Sequence, residues 1–298
     1  MAQCREQVIR SLPLSAGLAV AIIAAAVAAG IVPVMLLGLD QGFLRGGLID
    51  SYFLRIVWFT VLQAGLSTLI SVGLAIPVAR ALSRSDFPGR GLLLRLFALP
   101  LALPAIVVIL GIVAAYGRTG WLSTIIGHPT DIYGLTGILL AHVFFNLPLA
   151  TRLLLQQLDG IPAESWRLAA ELRFGAADRF RLIEWPALKG ALPGVACLIF
   201  LLCAASFAVV LTLGGGPQAT TLEVAIYQSL RLDYDPARAT VLALAQLVLC
   251  GIFVLLAGSS VAAMQSWPRL RSGGRRYERV NAPADMIIIL IAAIFVII

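Results

Sequence analysis

The sequence predicts an all-α polytopic membrane protein with six transmembrane helices and an incomplete seventh. Of its 298 residues, 60% are hydrophobic and only 12% are charged, whereas an ordinary soluble domain has roughly 45–50% apolar and about 25% charged residues. The mean hydropathy of +0.96 agrees with this composition. A water-soluble globular protein is excluded, because a surface so poor in charge would expose larger apolar patches than a soluble monomer tolerates.

The individual helices follow from stretches that contain no Asp, Glu, Lys or Arg. A bilayer core of about 30 Å requires about 20 helical residues. Six stretches meet this length, and a seventh of 13 residues does not. In chain order they are Ser11–Leu39, Ile56–Ala79, Leu96–Gly117, Ile132–Thr151, Gly190–Leu222, Ala239–Pro268 and Met286–Ile298. We therefore expect six complete spans and one that is too short to cross.

The distribution of basic residues predicts the orientation of these spans. The first stretch has 29 residues, about twice the length of a signal-peptide core, so we expect it to remain in the mature chain. Of the 22 basic residues, 17 lie in connections that share a side with the N-terminus, and 5 lie on the other side. Since Lys and Arg accumulate in cytoplasmic loops, the N-terminus is predicted to be cytoplasmic.

Several kinds of chemistry lack the residues that they need. The single lysine, Lys189, is followed by Gly190, so the chain has no phosphate-binding GxxxxGK[ST] loop. His128 and His142 lie on different segments without the spacing of a metal site. The six long stretches contain no carboxylate, which disfavours a membrane enzyme of lipid metabolism. The basic residues fall in short clusters between apolar stretches, a pattern of membrane topology that does not indicate a nucleic-acid partner.

The connection between the fourth and fifth long stretches, residues 156–189, is far longer than two packed helices need. Pro162 suits a first helical turn and Gly175 a left-handed stop, which predicts a short helix between them. A second short helix is expected over residues 177–183, before Pro186 leads back towards the membrane. Two interpretations are open: an amphipathic helix that lies on lipid headgroups, or a docking helix for a soluble partner.

This connection partly matches a sequence pattern that is known from a family of membrane proteins. The pattern is Glu-Ala-Ala, three residues, Gly, nine residues, Ile, any residue, Leu-Pro. Counted back from Pro186, Ile183 and Ala169 match it. The replacements are Trp185 for Leu, Arg173 for Gly, and Arg167 and Leu168 for Glu-Ala. The connection thus resembles the cytoplasmic loop of binding-protein-dependent ABC importer permeases, on which the ATPase docks, and residues 156–189 are called the docking segment below.

Longer stretches, distributed over most of the chain, carry a more specific resemblance. They read FPGRGLLLRL, YGRTGWLS, YGLTGILLAHVFFNLPLATRLLLQQL, IEWPALK, SFAVVLTLGGGPQATTLEVAIYQSL and DYDPARA. In this order they are similar to the first half of the thiamine permeases of the ABC importer family, which join two homologous six-helix units in one chain. The resemblance implies that residues 1–283 form the first unit, and that residues 284–298 are the truncated start of the second.

The resemblance also implies a function. The chain would be the permease subunit of an ATP-driven importer of thiamine or its phosphates in the bacterial inner membrane. It would not itself be an enzyme, and it would bind no cofactor. Its partners would be two copies of an ATPase subunit, a periplasmic thiamine-binding protein, a second six-helix unit and the lipid bilayer. The implied ATPase-docking residues are Trp166, Ala169, Ala170, Leu172, Arg173, Gly175 and Phe180. The alternatives are a permease for ferric iron or another small solute, and a truncated, nonfunctional remnant.

Polar and aromatic residues at membrane depth are candidates for the substrate pathway, because importers of this kind form it between their two units. The candidates are Gln63, His142, Phe145, Asn146, Ser206 and Phe207. The alternative for the polar ones is interhelical hydrogen bonding, and for the rings it is ordinary packing. The glycine-rich run Gly214, Gly215, Gly216 and Pro217 is a candidate external gate, with a flexible exit loop as its alternative.

Overall fold

A computed structural model describes residues 50–118, 120–126, 132–216, 219–265 and 283–297, together with five isolated positions between 18 and 32. In chain order its helices are α1 (Ser51–Arg84), α2 (Arg90–Leu96), α3 (Leu99–Ala102), α4 (Ala105–Tyr116), α5 (Trp121–Ile126), α6 (Leu135–Asp159), α7 (Ala163–Glu171), α8 (Ala176–Arg179), α9 (Trp185–Ala204), α10 (Phe207–Leu213), α11 (Leu222–Arg231), α12 (Pro236–Gln265) and α13 (Pro283–Ile297). A π-helical turn, Phe180–Glu184, joins α8 to α9. The described residues contain no β-strand, so the all-α class is confirmed.

Four of the described helical stretches are long and apolar enough to cross a membrane. They are α1, α6, the continuous stretch Ala176–Ala204, and α12. A fifth span results if the bent pair Arg90–Ala102 and Ala105–Tyr116 is counted as one. The polytopic membrane architecture is thus confirmed, whereas the number six is not. The predicted first span, Ser11–Leu39, lies outside the described residues apart from the isolated positions.

The bent pair corresponds to the third predicted stretch. Its two halves meet at an angle of 106°, and the bend lies at Leu103, whose ψ of 139° is extended. Pro104 follows as the N-cap of α4. A residue before proline is pushed towards extended backbone, and proline cannot donate a helical hydrogen bond. The bend is therefore encoded locally.

Helix α1 is the central element, because it packs along α6 and also contacts α9 and α13. Its inward face includes a polar stripe: Thr60, Gln63, Ser67 and Ser71 are all fully buried, beside apolar residues that are also buried. Its outward face is apolar, as Leu69 shows with 71% of its surface exposed. This is the reverse of a soluble amphipathic helix and fits a span whose surroundings are lipid or another apolar chain.

The fifth predicted span was placed wrongly. The uncharged stretch Gly190–Leu222 suggested one span there, but the long helix runs over Ala176–Ala204. A turn then precedes α10, with Ser206 in an extended conformation (ψ 95°). The predicted end of the second short helix at residue 183 is also wrong, because the helical stretch continues through Pro186 into the membrane span. A π turn, Phe180–Glu184, precedes Pro186. In this turn the Trp185 N–H donates to the Phe180 carbonyl, so the backbone stays hydrogen-bonded up to the proline.

The seventh stretch forms α13, a helix of 15 residues. It packs on α1 and α6, and the Arg84 Nε atom lies 3.8 Å from the Asp285 carboxylate. Ile289 and Ala292 are buried in the same apolar core as the central helices. Within the described chain, α13 is therefore part of the bundle.

Candidate functional site

The docking segment begins with α7, an amphipathic helix. Glu164 lies in its first turn, where the helix dipole stabilises a negative charge. Trp166 and Ala169 are buried, 9% and 1% exposed, and Trp166 belongs to the central apolar core. They therefore fix α7 on the bundle and do not form its free face. The free face carries Leu168 and Leu172, which are 56% and 57% exposed.

Sequence reasoning missed Leu168, although its spacing from Leu172 was visible. Two leucines four residues apart lie on one helical face, and Ala170 is exposed beside them. Exposed leucines on a short charged helix form an apolar contact surface. Of the predicted docking residues, Ala170, Leu172, Arg173 and Gly175 are exposed, whereas Trp166 and Ala169 are buried and Phe180 is half-buried.

Helix α7 ends at Glu171, and the left-handed residue beyond its end is Arg173, not Gly175 as expected. Arg173 has a left-handed backbone (φ 51°). Its N–H donates to the Ala170 carbonyl at 3.0 Å, and the Phe174 N–H donates to the Ala169 carbonyl at 2.9 Å. These two bonds form a Schellman motif, which usually has glycine at the left-handed position. Arg173 occupies the position that the importer pattern gives to glycine, and Gly175 has a φ of −68°.

Arg80, near the end of α1, ties the docking segment to the bundle. Its Nε atom lies 2.6 Å from the Glu184 carboxylate, which is 1% exposed. Its Nη2 atom donates to the Ala176 carbonyl at 3.2 Å, and its guanidinium lies 4.5 Å from the centre of the Phe180 ring. Three parts of the docking segment thus contact one side chain. No local sequence pattern indicates this cluster, because Arg80 and Glu184 are 104 residues apart.

The predicted pathway residues of α1 and α6 lie inside the bundle. The Gln63 Nε2 atom donates to the Cys203 carbonyl at 3.1 Å, and the Asn146 Nδ2 atom lies 3.2 Å from the Cys203 sulfur. The Ser67 hydroxyl lies 3.0 Å from Nδ1 of His142. Gln63, His142 and Asn146 are at most 4% exposed. The structure therefore brings these three side chains together as interhelical contacts, and their role towards substrate stays a prediction.

These contacts converge on the break between α9 and α10. The Ala204 carbonyl, at the end of α9, accepts a hydrogen bond of 3.2 Å from the Gln246 side chain of α12, and Gln63 binds the preceding carbonyl from α1. The last carbonyls of a helix have no partner within the helix, and leaving them bare is costly in an apolar interior. The Cys203 carbonyl also accepts a hydrogen bond of 3.3 Å from the Ser206 N–H, so Gln63 adds a second donor there, while Gln246 supplies a side-chain donor to the Ala204 carbonyl. Both glutamines therefore stabilise the break. Ser206 and Phe207 lie directly beyond it, while Phe145 forms an edge contact with Phe144 at 6.0 Å.

The glycine-rich run lies at the opposite end of α6 from the docking segment. The Leu213 carbonyl accepts a hydrogen bond of 2.7 Å from the Gly134 N–H, just before α6 begins. Gly215 and Gly216 have positive φ angles of 71° and 134°, which glycine adopts without strain. A side chain on Gly214 would overlap the Val210 carbonyl oxygen. The turn thus depends on its glycines, and Pro217 lies outside the described residues.

Comparison with known proteins identifies the class. No family model matches the chain. A solved bacterial ABC transporter involved in the import of the acidic polysaccharide alginate matches with a TM-score of 0.65 and 15% sequence identity, over 89% of this chain and 99% of that one. The chain therefore shares its fold with a chain of that ABC transporter.

Sequence relatives make the assignment narrower. The thiamine transport system permease protein ThiP of Brucella abortus is 52% identical over 250 residues, or 82% of this chain and 46% of that protein. ThiP of Escherichia coli is 54% identical over 231 residues, 76% of this chain and 43% of that protein. The sulfate permease CysW of Synechococcus elongatus is 28% identical over 152 residues, half of this chain. The chain is thus a homologue of thiamine transport permeases, and it spans about half of their length.

Proposed function

We propose that this chain is a membrane-spanning part of an ATP-driven ABC importer that moves thiamine or its phosphates into the cytoplasm. The observation that carries the proposal is the identity of 52% over 250 residues with a thiamine transport permease. An alignment over 82% of the chain includes the docking segment, the glycine-rich run and the helices between them. The ABC permease fold supports the same class of function.

The partners follow from the proposal. Two ATPase subunits dock inside, one of them on the Leu168 and Leu172 face of α7, and a second six-helix unit completes the pathway. A periplasmic thiamine-binding protein delivers substrate at the end of the bundle that carries Gly214–Gly216. The N-terminus and the docking segment are cytoplasmic in this arrangement, which agrees with the excess of basic residues on that side.

The mechanism is a switch between inward-open and outward-open states. Closure of the ATPase subunits moves α7, which Trp166 anchors in the bundle. Arg80 passes this movement to α1, since its side chain binds both the start and the end of the stretch 176–184. Helix α9 continues from the same stretch and moves with it. The break after Ala204 lets α10 move separately from α9 as the pathway opens.

The test uses the complete transporter, with its native ATPase and binding protein, in proteoliposomes. We expect ATP-dependent, saturable uptake of labelled thiamine that unlabelled thiamine blocks. The double variant Leu168→Glu with Leu172→Glu should abolish uptake and co-purification of the ATPase, because two charges replace an apolar contact. The matched control is Leu232→Glu, an equally exposed leucine (66%) at the other end of the bundle, which should leave co-purification unchanged. Normal ATPase binding by the double variant would contradict the docking assignment.

A permease for ferric iron or another small solute is the second candidate. It is favoured by the sulfate permease at 28% identity, since homologous permeases thus serve chemically different solutes. If the wild-type transporter hydrolyses ATP but accumulates no thiamine, the thiamine proposal fails. Accumulation of labelled ferric iron in the same vesicles would then support this alternative.

A further inference from the structure

Helix α11 presents a carboxylate and an aromatic ring on one face. Glu223 and Tyr227 are four residues apart, so their side chains are neighbours on the helix surface. The Tyr227 ring centre lies 5.2 Å from that of Phe207, with the two planes at 60°. Tyr227 is 41% exposed, and Glu223 is partly exposed. The face therefore combines one negative charge with two accessible rings.

Within the part of the chain that the structure describes, Glu223 has no hydrogen-bond or ion-pair partner. Its carboxyl group is partly removed from water, and this burial raises its pKa. The helix dipole favours an acid in the first turn of α11, but this effect is modest and does not account for a half-buried, unpaired carboxylate. A partly desolvated charge of this kind is usually compensated by an opposite charge.

The position of Glu223 is fixed from both sides. The preceding N–H, that of Leu222, donates to the Thr60 hydroxyl of α1 at 3.0 Å. The following residue, Val224, packs in an apolar cluster with Val210 and Leu213, next to the glycine-rich turn. Glu223 thus lies among the spans, beside the predicted gate, and not on a mobile loop tip.

We propose that Glu223, Tyr227 and Phe207 form a recognition site for the cationic ring of the substrate at the external mouth of the pathway. The proposal rests on the proposed function, because thiamine carries a permanently positive aromatic ring. A carboxylate supplies the opposite charge, and the faces of Tyr and Phe rings attract a cation within about 6 Å. An anionic solute would be repelled by the same carboxylate. The site therefore selects an aromatic cation by its charge and its shape.

The experiment compares transport of a cation with transport of its neutral counterpart. Complete transporters with the native ATPase and binding protein are reconstituted, and initial uptake rates are measured for labelled thiamine and for a labelled analogue with an uncharged thiophene ring. We expect Glu223→Gln to reduce thiamine uptake by about tenfold, the effect of losing about 1.4 kcal/mol of charge interaction, and to reduce the preference for the cation equally. Tyr227→Leu should lower uptake several-fold, whereas Tyr227→Phe should not.

The matched control is Asp233→Asn, which neutralises an exposed carboxylate just beyond the end of α11. It should leave the preference for the cation unchanged. Glu223→Asp retains the charge and should retain most of the preference. An unchanged preference in Glu223→Gln overturns the proposal, as does failure of both Glu223 variants to assemble with the ATPase, since Glu223 would then be structural. Absence of thiamine uptake by the wild-type transporter instead overturns the proposed function, and the recognition site falls with it.

Discussion

At the scale of single residues, Arg173 departs from the residue that its backbone favours. A left-handed conformation costs a residue with a Cβ atom about 1–2 kcal/mol relative to glycine, and Arg173 accepts this cost at φ 51°. The sequence pattern indicated the position, since it calls for glycine there. The sequence could not show that the chain keeps the same turn with arginine, because the two Schellman hydrogen bonds involve only backbone atoms.

We expect Arg173→Gly to stabilise the protein by about 1 kcal/mol, because glycine adopts the left-handed conformation without steric cost. The measurement is the thermal unfolding temperature of the purified permease in detergent. The control is Arg167→Gly, the same change at an exposed position inside α7, which should destabilise by about 1 kcal/mol because glycine is a poor helix former. A lower unfolding temperature for Arg173→Gly would show that the arginine side chain stabilises the protein by more than its left-handed backbone destabilises it.

At the scale of elements, the absence of charge located the described spans but misplaced the ends of one. Helix α9 and the turns before it begin at Ala176 although Arg179, Arg181 and Lys189 lie in this stretch. Charged residues mark where lipid contact ends, and a helix can continue beyond that point into the polar interface. The other end, at Ala204, depends on glutamines from two other spans. Such long-range partners leave no mark in the local sequence.

We expect Gln63→Leu and Gln246→Leu each to destabilise the permease by about 1–3 kcal/mol, because each leaves a carbonyl at the helix break without its side-chain partner. Thermal unfolding of the purified protein measures this loss. Gln156→Leu is the control, since Gln156 is exposed on α6 and surface changes of this type usually stay within about 0.5 kcal/mol. Equal unfolding temperatures for all three variants would show that the glutamines do not stabilise the break.

The link between α1 and the docking segment leads to a prediction about coupling. Arg80→Gln removes the charge that faces the buried Glu184 carboxylate, so movement of the docking segment should no longer reach α1. We expect ATP hydrolysis to continue while thiamine uptake per ATP falls at least about tenfold, equivalent to about 1.4 kcal/mol of lost coupling. Both rates are measured in the same proteoliposomes.

Arg84→Gln is the matched control for this coupling, because it removes an ion pair one turn further along α1, with Asp285 and not with the docking segment. It should leave uptake per ATP unchanged. Arg80→Lys keeps the charge but loses the planar group that reaches both Glu184 and Ala176, so an intermediate value is expected. If Arg80→Gln keeps the wild-type ratio of uptake to hydrolysis, the coupling role is wrong.

At the scale of the whole molecule, the sequence located the docking segment, but it could not show how that segment is attached. The resemblance implies an ATPase contact on residues 156–189, and within this segment the structure buries Trp166 and Ala169 and exposes Leu168 and Leu172. The same limit applies to Glu223. It follows directly after the uncharged stretch that ends at Leu222, so a search for uncharged spans leaves it out, although the fold packs its helix, α11, against α1 and α12.

The docking assignment and the external position of Glu223 both depend on how the molecule is oriented in the membrane. Since 17 of 22 basic residues share a side with the N-terminus, we expect the docking segment inside and the turn between α11 and α12 outside. Single cysteines replace Leu168 or Leu232, which are both more than half exposed, and spheroplasts are treated with a membrane-impermeant thiol reagent. Leu232→Cys should react in intact spheroplasts, whereas Leu168→Cys should react only after lysis.

The control for this labelling is the chain with Cys4→Ser alone, which is the background of both variants, because of the three remaining cysteines Cys203 is buried and Cys197 and Cys250 are half-buried within the spans. The reverse labelling pattern would place α7 outside, where no ATP is available to a docked ATPase. It would therefore overturn the docking assignment and the external position of Glu223 in one experiment. The expected pattern instead puts the Leu168 and Leu172 face, Arg80 and Glu184 on the ATP side. The glycine-rich turn and the carboxylate then lie where a binding protein releases its cargo.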